Sequence, residues 1–184
     1  MHATDSTPRV LVLNGGSSSG KTSLARVLQR TLPGSWLRFG VDDLVEACPP
    51  AMSTDDGLHI ADDGVVSAGP AFQEAERHWM AGIARMAELG ALIIVEDNFV
   101  SGPSAQARWR SALRGVHVGW VGVLCAPEVA QERERRRGDR AFGMAAHQAT
   151  RVHAGIDYDL RVDSGAHSID RNADLIRQRF FRAG

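Results

Sequence analysis

Eight consecutive residues carry the densest chemical signal in the chain: Gly15-Gly16-Ser17-Ser18-Ser19-Gly20-Lys21-Thr22. They fit the pattern G-x-x-x-x-G-K-[ST]. The apolar run Val10-Leu11-Val12-Leu13 before them and the helical spacing of Leu24, Val27, Leu28 and Leu32 after them give the strand–loop–helix setting that the pattern needs. Backbone N–H groups can cradle a triphosphate only if the chain curls tightly, and Gly15 and Gly20 allow this because they lack a Cβ. A helix starting near Lys21 turns its free N–H groups and positive dipole end toward the anion. Lys21 adds a point charge for the β- and γ-phosphates, and Thr22 offers a hydroxyl to Mg²⁺. The expected ATP-binding set is therefore Gly15, Gly16, Ser17, Ser18, Ser19, Gly20, Lys21, Thr22 and Ser23.

Acids and arginines elsewhere are candidates for the rest of the chemistry. Asp42 follows the apolar run Trp36-Leu37-Arg38-Phe39 and is either a general base for a substrate hydroxyl or the N-cap of the next helix. Asp43 reads as a cap. Glu96-Asp97 ends the run Ile93-Ile94-Val95, as an acid delivered to the Mg²⁺ side of a triphosphate would; Asp97 is the favoured metal-side residue, beside Thr22. In the run Glu132 to Arg140, residues Arg133, Arg136, Arg137 and Arg140 recur at helical spacing. They suit a lid that stabilises charge on a transferring phosphoryl group, with Arg137 and Arg140 as catalytic candidates and Arg133 and Arg136 as nucleotide contacts. The plainer alternative is a solvated helix laced with Glu–Arg pairs. Trp36, Phe39, Met52, Phe72, Trp79 and Met80 could line a substrate pocket, although most are expected in the core.

These residues need elements to hold them. Apolar runs alternate with helix-period segments, which argues an α/β fold with a parallel sheet. Strands are expected at about 9–13, 36–39, 91–97 and 116–124, with a short fifth within 157–163. Helices are expected from the loop to about Thr31, at Leu44–Ala47, from Pro70 to Gly90, from Ser101-Gly102-Pro103, at Glu128–Arg137, onward to about His153, and from Ser168 to Phe181. Asp62-Asp63-Gly64 between Leu58-His59-Ile60-Ala61 and Val65-Val66-Ser67 signals a hairpin, either a cap on a substrate or a surface excursion. Five parallel strands with helices on both faces form an open doubly wound sheet, whose ligands bind beyond the carboxyl ends of the strands. Residues 1–184 read as one domain, with a lid at about 128–153.

Composition excludes several classes. A net charge of −1, 43% hydrophobic and 23% charged residues describe an ordinary soluble domain with no general affinity for nucleic acid or membranes. No run approaches the ~18 apolar residues of a membrane span, and the polar N-terminus has no signal core, so the cytoplasm is the expected compartment. Cys48 and Cys125 have no metal-ligand spacing and read as buried reduced thiols. The oligomeric state and the choice of ATP over GTP stay open.

Beyond the loop, several motifs resemble those of the chloramphenicol phosphotransferases. They are Leu13 to Thr22, Trp36-Leu37-Arg38-Phe39-Gly40-Val41-Asp42, Gly69-Pro70-Ala71-Phe72, Ala107-Arg108-Trp109-Arg110, Trp120-Val121-Gly122-Val123, Arg137-Gly138-Asp139-Arg140, Gly143-Met144-Ala145-Ala146 and residues 152–159. They occur in order and span nearly the whole chain. The resemblance implies a P-loop NTPase fold and an ATP-dependent kinase acting on the primary hydroxyl of chloramphenicol, an inactivation that gives antibiotic resistance. It places the base on Asp42, the phosphate-loop pair on Lys21 and Thr22, and the lid on Arg133 to Arg140. Thr22 stands for a serine, Glu96-Asp97 for two aspartates, and Ala154 and Ala51 to Val66 depart from the pattern. Related kinases with this loop act on shikimate, gluconate or adenylylsulfate. A nucleotide-dependent switch with no small acceptor is the alternative from another class; the chain has no guanine-reading N-K-x-D element.

Overall fold

The computed structural model describes residues 7–52, 57–61, 65–137 and 144–181. The run Val10–Asn14 forms β1, and all five residues are buried. Its neighbours on either side are β5 (Leu92–Asp97) and β6 (Val118–Leu124), both parallel to it. β2 (Trp36–Gly40) and β7 (Leu160–Asp163) take the two edges, giving a five-stranded parallel sheet in the order β2-β5-β1-β6-β7. A buried strand must be apolar on both faces, and the pleat sends alternate residues to each side.

The two faces are covered by different helices. Val10, Val12, Ile93 and Val95 pack against Met80 and Ile83 of α3 (Pro70–Glu88) and Trp109 of α4 (Pro103–Ala112). Leu11, Leu13, Ile94, Val121 and Val123 pack against Leu24 and Leu28 of α1 (Lys21–Thr31) and Ile176 of α7 (Ile169–Phe180). Each such side chain buried is worth about 1.5–3 kcal/mol relative to an exposed one. Trp36 and Met80 are core residues, and Phe39 and Trp79 pack against the core, as expected. Phe72 is buried but lines a cavity described below.

α2 (Val41–Ala47) follows β2 directly, three residues earlier than the sequence suggested. A 3-10 turn at Pro50–Met52 and the antiparallel pair β3 (Leu58–Ile60) and β4 (Val66–Ala68) come next. The Asp62-Asp63-Gly64 turn itself lies outside the described residues. α5 (Pro127–Arg137) and α6 (Met144–Arg151) lie between β6 and β7, and the Glu134 carboxylate of α5 accepts the Ala145 N–H of α6 at 2.8 Å. No described helix is long and apolar enough to cross a membrane. Both cysteines are free thiols; Cys125 is buried as expected, whereas Cys48 is half-buried.

Candidate active site

The ladder aligns the carboxyl ends of the strands. Asn14 pairs with Asp97, and Gly40 pairs with Glu96. The loop from Gly15 leaves β1 at this edge and returns into α1. Ser18 (φ 57°) and Gly20 (φ +87°) both take the left-handed backbone conformation, which curls the chain into a nest of N–H groups. At Gly15 an added Cβ would lie 2.6 Å from the Val123 carbonyl oxygen, so the loop can sit this close to β6 only with glycine there. The hydroxyls of Ser17, Ser18 and Ser19 are buried with no hydrogen-bond partner among the described residues. Buried polar groups are ordinarily paired, so this loop has the chemistry of a cradle for an anion. The Lys21 ammonium folds over it and donates to the Gly15 and Gly16 carbonyls.

A cavity of about 380 Å³ opens above the loop, lined by residues 17–23 with Arg38, Asp42, Glu96, Arg133 and Arg136. The Thr22 hydroxyl donates to Glu96 Oε2 at 2.6 Å, and Arg38 Nη1 donates to Glu96 Oε1 at 2.8 Å. These oxygens fit a hard divalent cation, which takes one or two protein ligands beside phosphate oxygens and water. Asp97 sits elsewhere. Its Oδ2 accepts the Trp109 indole N–H at 2.6 Å on the opposite face of the sheet, and burial raises its carboxyl above the usual range. The acid that the sheet brings beside Thr22 is thus Glu96, whereas Asp97, the residue expected there, faces Trp109. The reason is the pleat: Glu96 shares the face of Ile94 with α1, and Asp97 that of Val95 with α4.

Arg133 lines the phosphate cavity and is tied to its wall. It donates to the Ser164 hydroxyl at 3.1 Å and carbonyl at 2.7 Å, and that hydroxyl donates to the Ser19 carbonyl at 2.6 Å. Arg136 lines the cavity while its Nε pairs with Glu132 at 2.9 Å, so this helix both carries Glu–Arg pairs and borders the cavity. The Arg137 side chain and Arg140 lie outside the described residues. Asp42 is not the N-cap of α2: Gly40 holds that position, and Asp43 accepts the Gly40 N–H at 2.6 Å. Asp42 lines the phosphate cavity and also a second chamber of about 120 Å³, formed by Val45, Leu58, Val66, Phe72, Glu76, Phe99 and Arg108 among others.

Several participants had no role assigned from the sequence, although Asn14, Gly122 and residues 152–159 stood within the resembling motifs. Gln148 Oε1 of α6 accepts the Ser17 N–H at 2.8 Å, 131 residues away. Behind the loop, Asn14 donates to the Val152 carbonyl at 2.7 Å and to the Tyr158 hydroxyl, which lies 2.8 Å from His153 Nδ1. Gly122 leaves room for the Tyr158 ring, which an added Cβ would meet at 2.8 Å. Arg38 stood within a recognised motif, but an arginine on a strand does not announce its partner.

A family model described as "Chloramphenicol phosphotransferase-like protein" matches residues 8–181. A relative from Mycobacterium tuberculosis named "Putative O-phosphotransferase Rv2636" is 29% identical over 191 residues, covering 94% of this chain and 82% of its own length. Among solved structures, a Deinococcus radiodurans tunicamycin resistance protein superposes with a TM-score of 0.68 at 18% identity, covering 97% of this chain and 98% of that one. The Mycobacterium tuberculosis APS kinase CysC, solved with AMPPNP and APS, gives a TM-score of 0.60 at 18% identity, covering 94% and 97%. The likeness to the kinase, with the strand order β2-β5-β1-β6-β7, establishes the P-loop kinase fold.

Proposed function

The chain belongs to the chloramphenicol phosphotransferase-like family, and from that membership we propose an ATP-dependent O-phosphotransferase that phosphorylates the primary hydroxyl of chloramphenicol or a related amphenicol. The observation that carries this reading is the position of Asp42, on the wall shared by the phosphate cavity and the second, largely apolar chamber. An alcohol held in that chamber presents its hydroxyl to the carboxylate on one side and to a γ-phosphoryl group on the other.

In this reading residues 15–23 hold the polyphosphate through backbone N–H groups and the loop hydroxyls. Lys21 turns from the loop carbonyls to the phosphates. Thr22 and Glu96 would hold Mg²⁺, which would supply charge neutralisation to the polyphosphate. Asp42 accepts the proton of the attacking hydroxyl. Arg133 and Arg136 contact the nucleotide, and Arg137 and Arg140, outside the described residues, are the candidates for charge on the transferring group, in a lid of about residues 128–153 of one kinase domain. Catalysis is then mostly positioning and charge neutralisation.

The test is incubation with ATP, Mg²⁺ and a panel of alcohols, with product masses recorded. Chloramphenicol should gain one phosphoryl group. Lys21→Ala should abolish turnover, and Asp42→Asn should lower kcat about 10²–10⁴-fold while ATP affinity holds. Full activity in Asp42→Asn would remove the base assignment. Transfer to another alcohol but not to chloramphenicol would overturn the amphenicol assignment. Nucleotide binding without any acceptor-stimulated turnover would point to a switch module instead.

A further inference from the structure

The chamber beside Asp42 contains a charge pair, its carboxylate buried and its guanidinium partly exposed, that the reaction above does not use. Glu76 of α3 is 7% exposed. Arg108 of α4 sends two nitrogens to the same carboxylate oxygen, Oε2, from Nε at 3.0 Å and from Nη2 at 2.8 Å. Nη2 also reaches the Ser101 hydroxyl at 3.1 Å. The second oxygen, Oε1, receives no hydrogen bond from the described residues. Burial pushes the Glu76 carboxyl above its usual range, Arg108 draws it back, and nearby Asp97 adds to the rise. Glu76 lines the chamber, so this oxygen is available to a hydrogen-bond donor held there.

The two cavities differ in charge balance. The phosphate cavity is lined by four cations, Lys21, Arg38, Arg133 and Arg136, against two acids, Asp42 and Glu96. The apolar chamber is lined by the carboxyl groups of Asp42, Glu76 and Asp97 and by one guanidinium, Arg108, which is committed to Glu76. An acceptor carrying a carboxylate or sulfate would meet like charge there with no cation to spare, an arrangement that excludes wrong partners.

This inference rests on reading that chamber as the acceptor site. We propose that Glu76 is a specificity-determining residue: its Oε1 takes a hydroxyl or amide donor of an uncharged acceptor, and its charge repels anionic acceptors. A site built around a buried acceptor rejects ligands that leave it unpaired. Arg108 holds the carboxylate in place from the neighbouring helix.

The test compares chloramphenicol with its oxamate analogue, in which a carboxylate replaces the dichloromethyl group, as acceptors at saturating ATP. Wild-type protein should favour chloramphenicol by at least about 10-fold in kcat/KM, the equivalent of one lost interaction. Glu76→Gln should raise the KM for chloramphenicol about 10-fold, with kcat and the KM for ATP nearly unchanged, and should narrow the preference over the oxamate. A merely structural role would lower stability without changing the ratio between the two acceptors. Equal use of both acceptors by wild type would overturn the proposal, as would an unchanged ratio in a folded Glu76→Gln protein. If that variant does not fold, the wild-type ratio alone decides. Failure to phosphorylate any alcohol would instead strike the functional reading on which this rests.

Discussion

Glu96 and Asp97 are adjacent in the chain, chemically alike and placed on opposite faces of the sheet. Glu96 joins Thr22 and Arg38 at the phosphate cavity, and Asp97 anchors the indole of Trp109 beneath α4. The difference is testable. Glu96→Gln should raise the Mg²⁺ concentration needed for half-maximal phosphoryl transfer about tenfold or more, as loss of a supporting ligand group does. Trp109→Phe should leave that Mg²⁺ dependence alone. It strips a donor from a buried carboxyl and should cost at least about 1–3 kcal/mol in urea denaturation. The sequence could place an acid at the end of this strand, because an apolar run followed by two acids is a local pattern. It could not say which acid faces α1, because that depends on which side of the sheet the helix after the loop crosses.

At the scale of elements, α5 and α6 are fastened to the phosphate loop from two directions. Arg133 of α5 reaches it through Ser164, and Gln148 of α6 accepts the Ser17 N–H directly. Gln148→Ala would leave that buried N–H without an acceptor, at a cost of about 1–3 kcal/mol. The expected result is a lower urea midpoint, recovered in part by saturating ATP because ligand binding stabilises the folded state. A midpoint equal to that of wild type would mean that the contact contributes nothing to the fold. The helices themselves were legible, since Pro127 and the charged periodicity mark α5 locally. Their attachment to the loop was not, because a glutamine in the middle of a helix has no spacing signature.

Across the whole molecule, the parallel sheet gathers Asn14 of β1 and His153 and Tyr158 of the segment before β7 into one partly buried polar cluster behind the loop. His153 belongs to it. Burial lowers its pKa from 6.5 to about 4, helped by the charges of Lys21 and Arg161. The unfolded chain therefore takes up a proton at a pH where the folded protein does not. The sign follows: this contribution to stability is complete above pH 6.5 and is lost progressively as the pH falls toward 4. Glu76 and Asp97, whose carboxyls are raised by burial, act in the opposite sense over the acid range. The His153 share is isolated by comparing wild type with His153→Asn in urea denaturation from pH 7.5 down to 4.5, values chosen to span about the interval over which histidine charges. The variant should lose stability less steeply between pH 6.5 and 4.5; parallel curves would rule the effect out.

What the sequence determined by itself is whatever depends on neighbours in the chain. The curl of Gly15 to Gly20, the ammonium and hydroxyl at its end, the order of strands and helices, and the acid placed after β2 are all short-range patterns, and the fold and family follow from them. The tertiary structure alone decided the rest: that Glu96 and not Asp97 meets Thr22, that Arg38 braces it, and that Glu76 and Arg108 pair inside the chamber beside Asp42. Each of these joins residues from different elements. Alternation along a strand gives two faces without naming them, and only the packing of helices against the sheet fixes which face looks into which cavity.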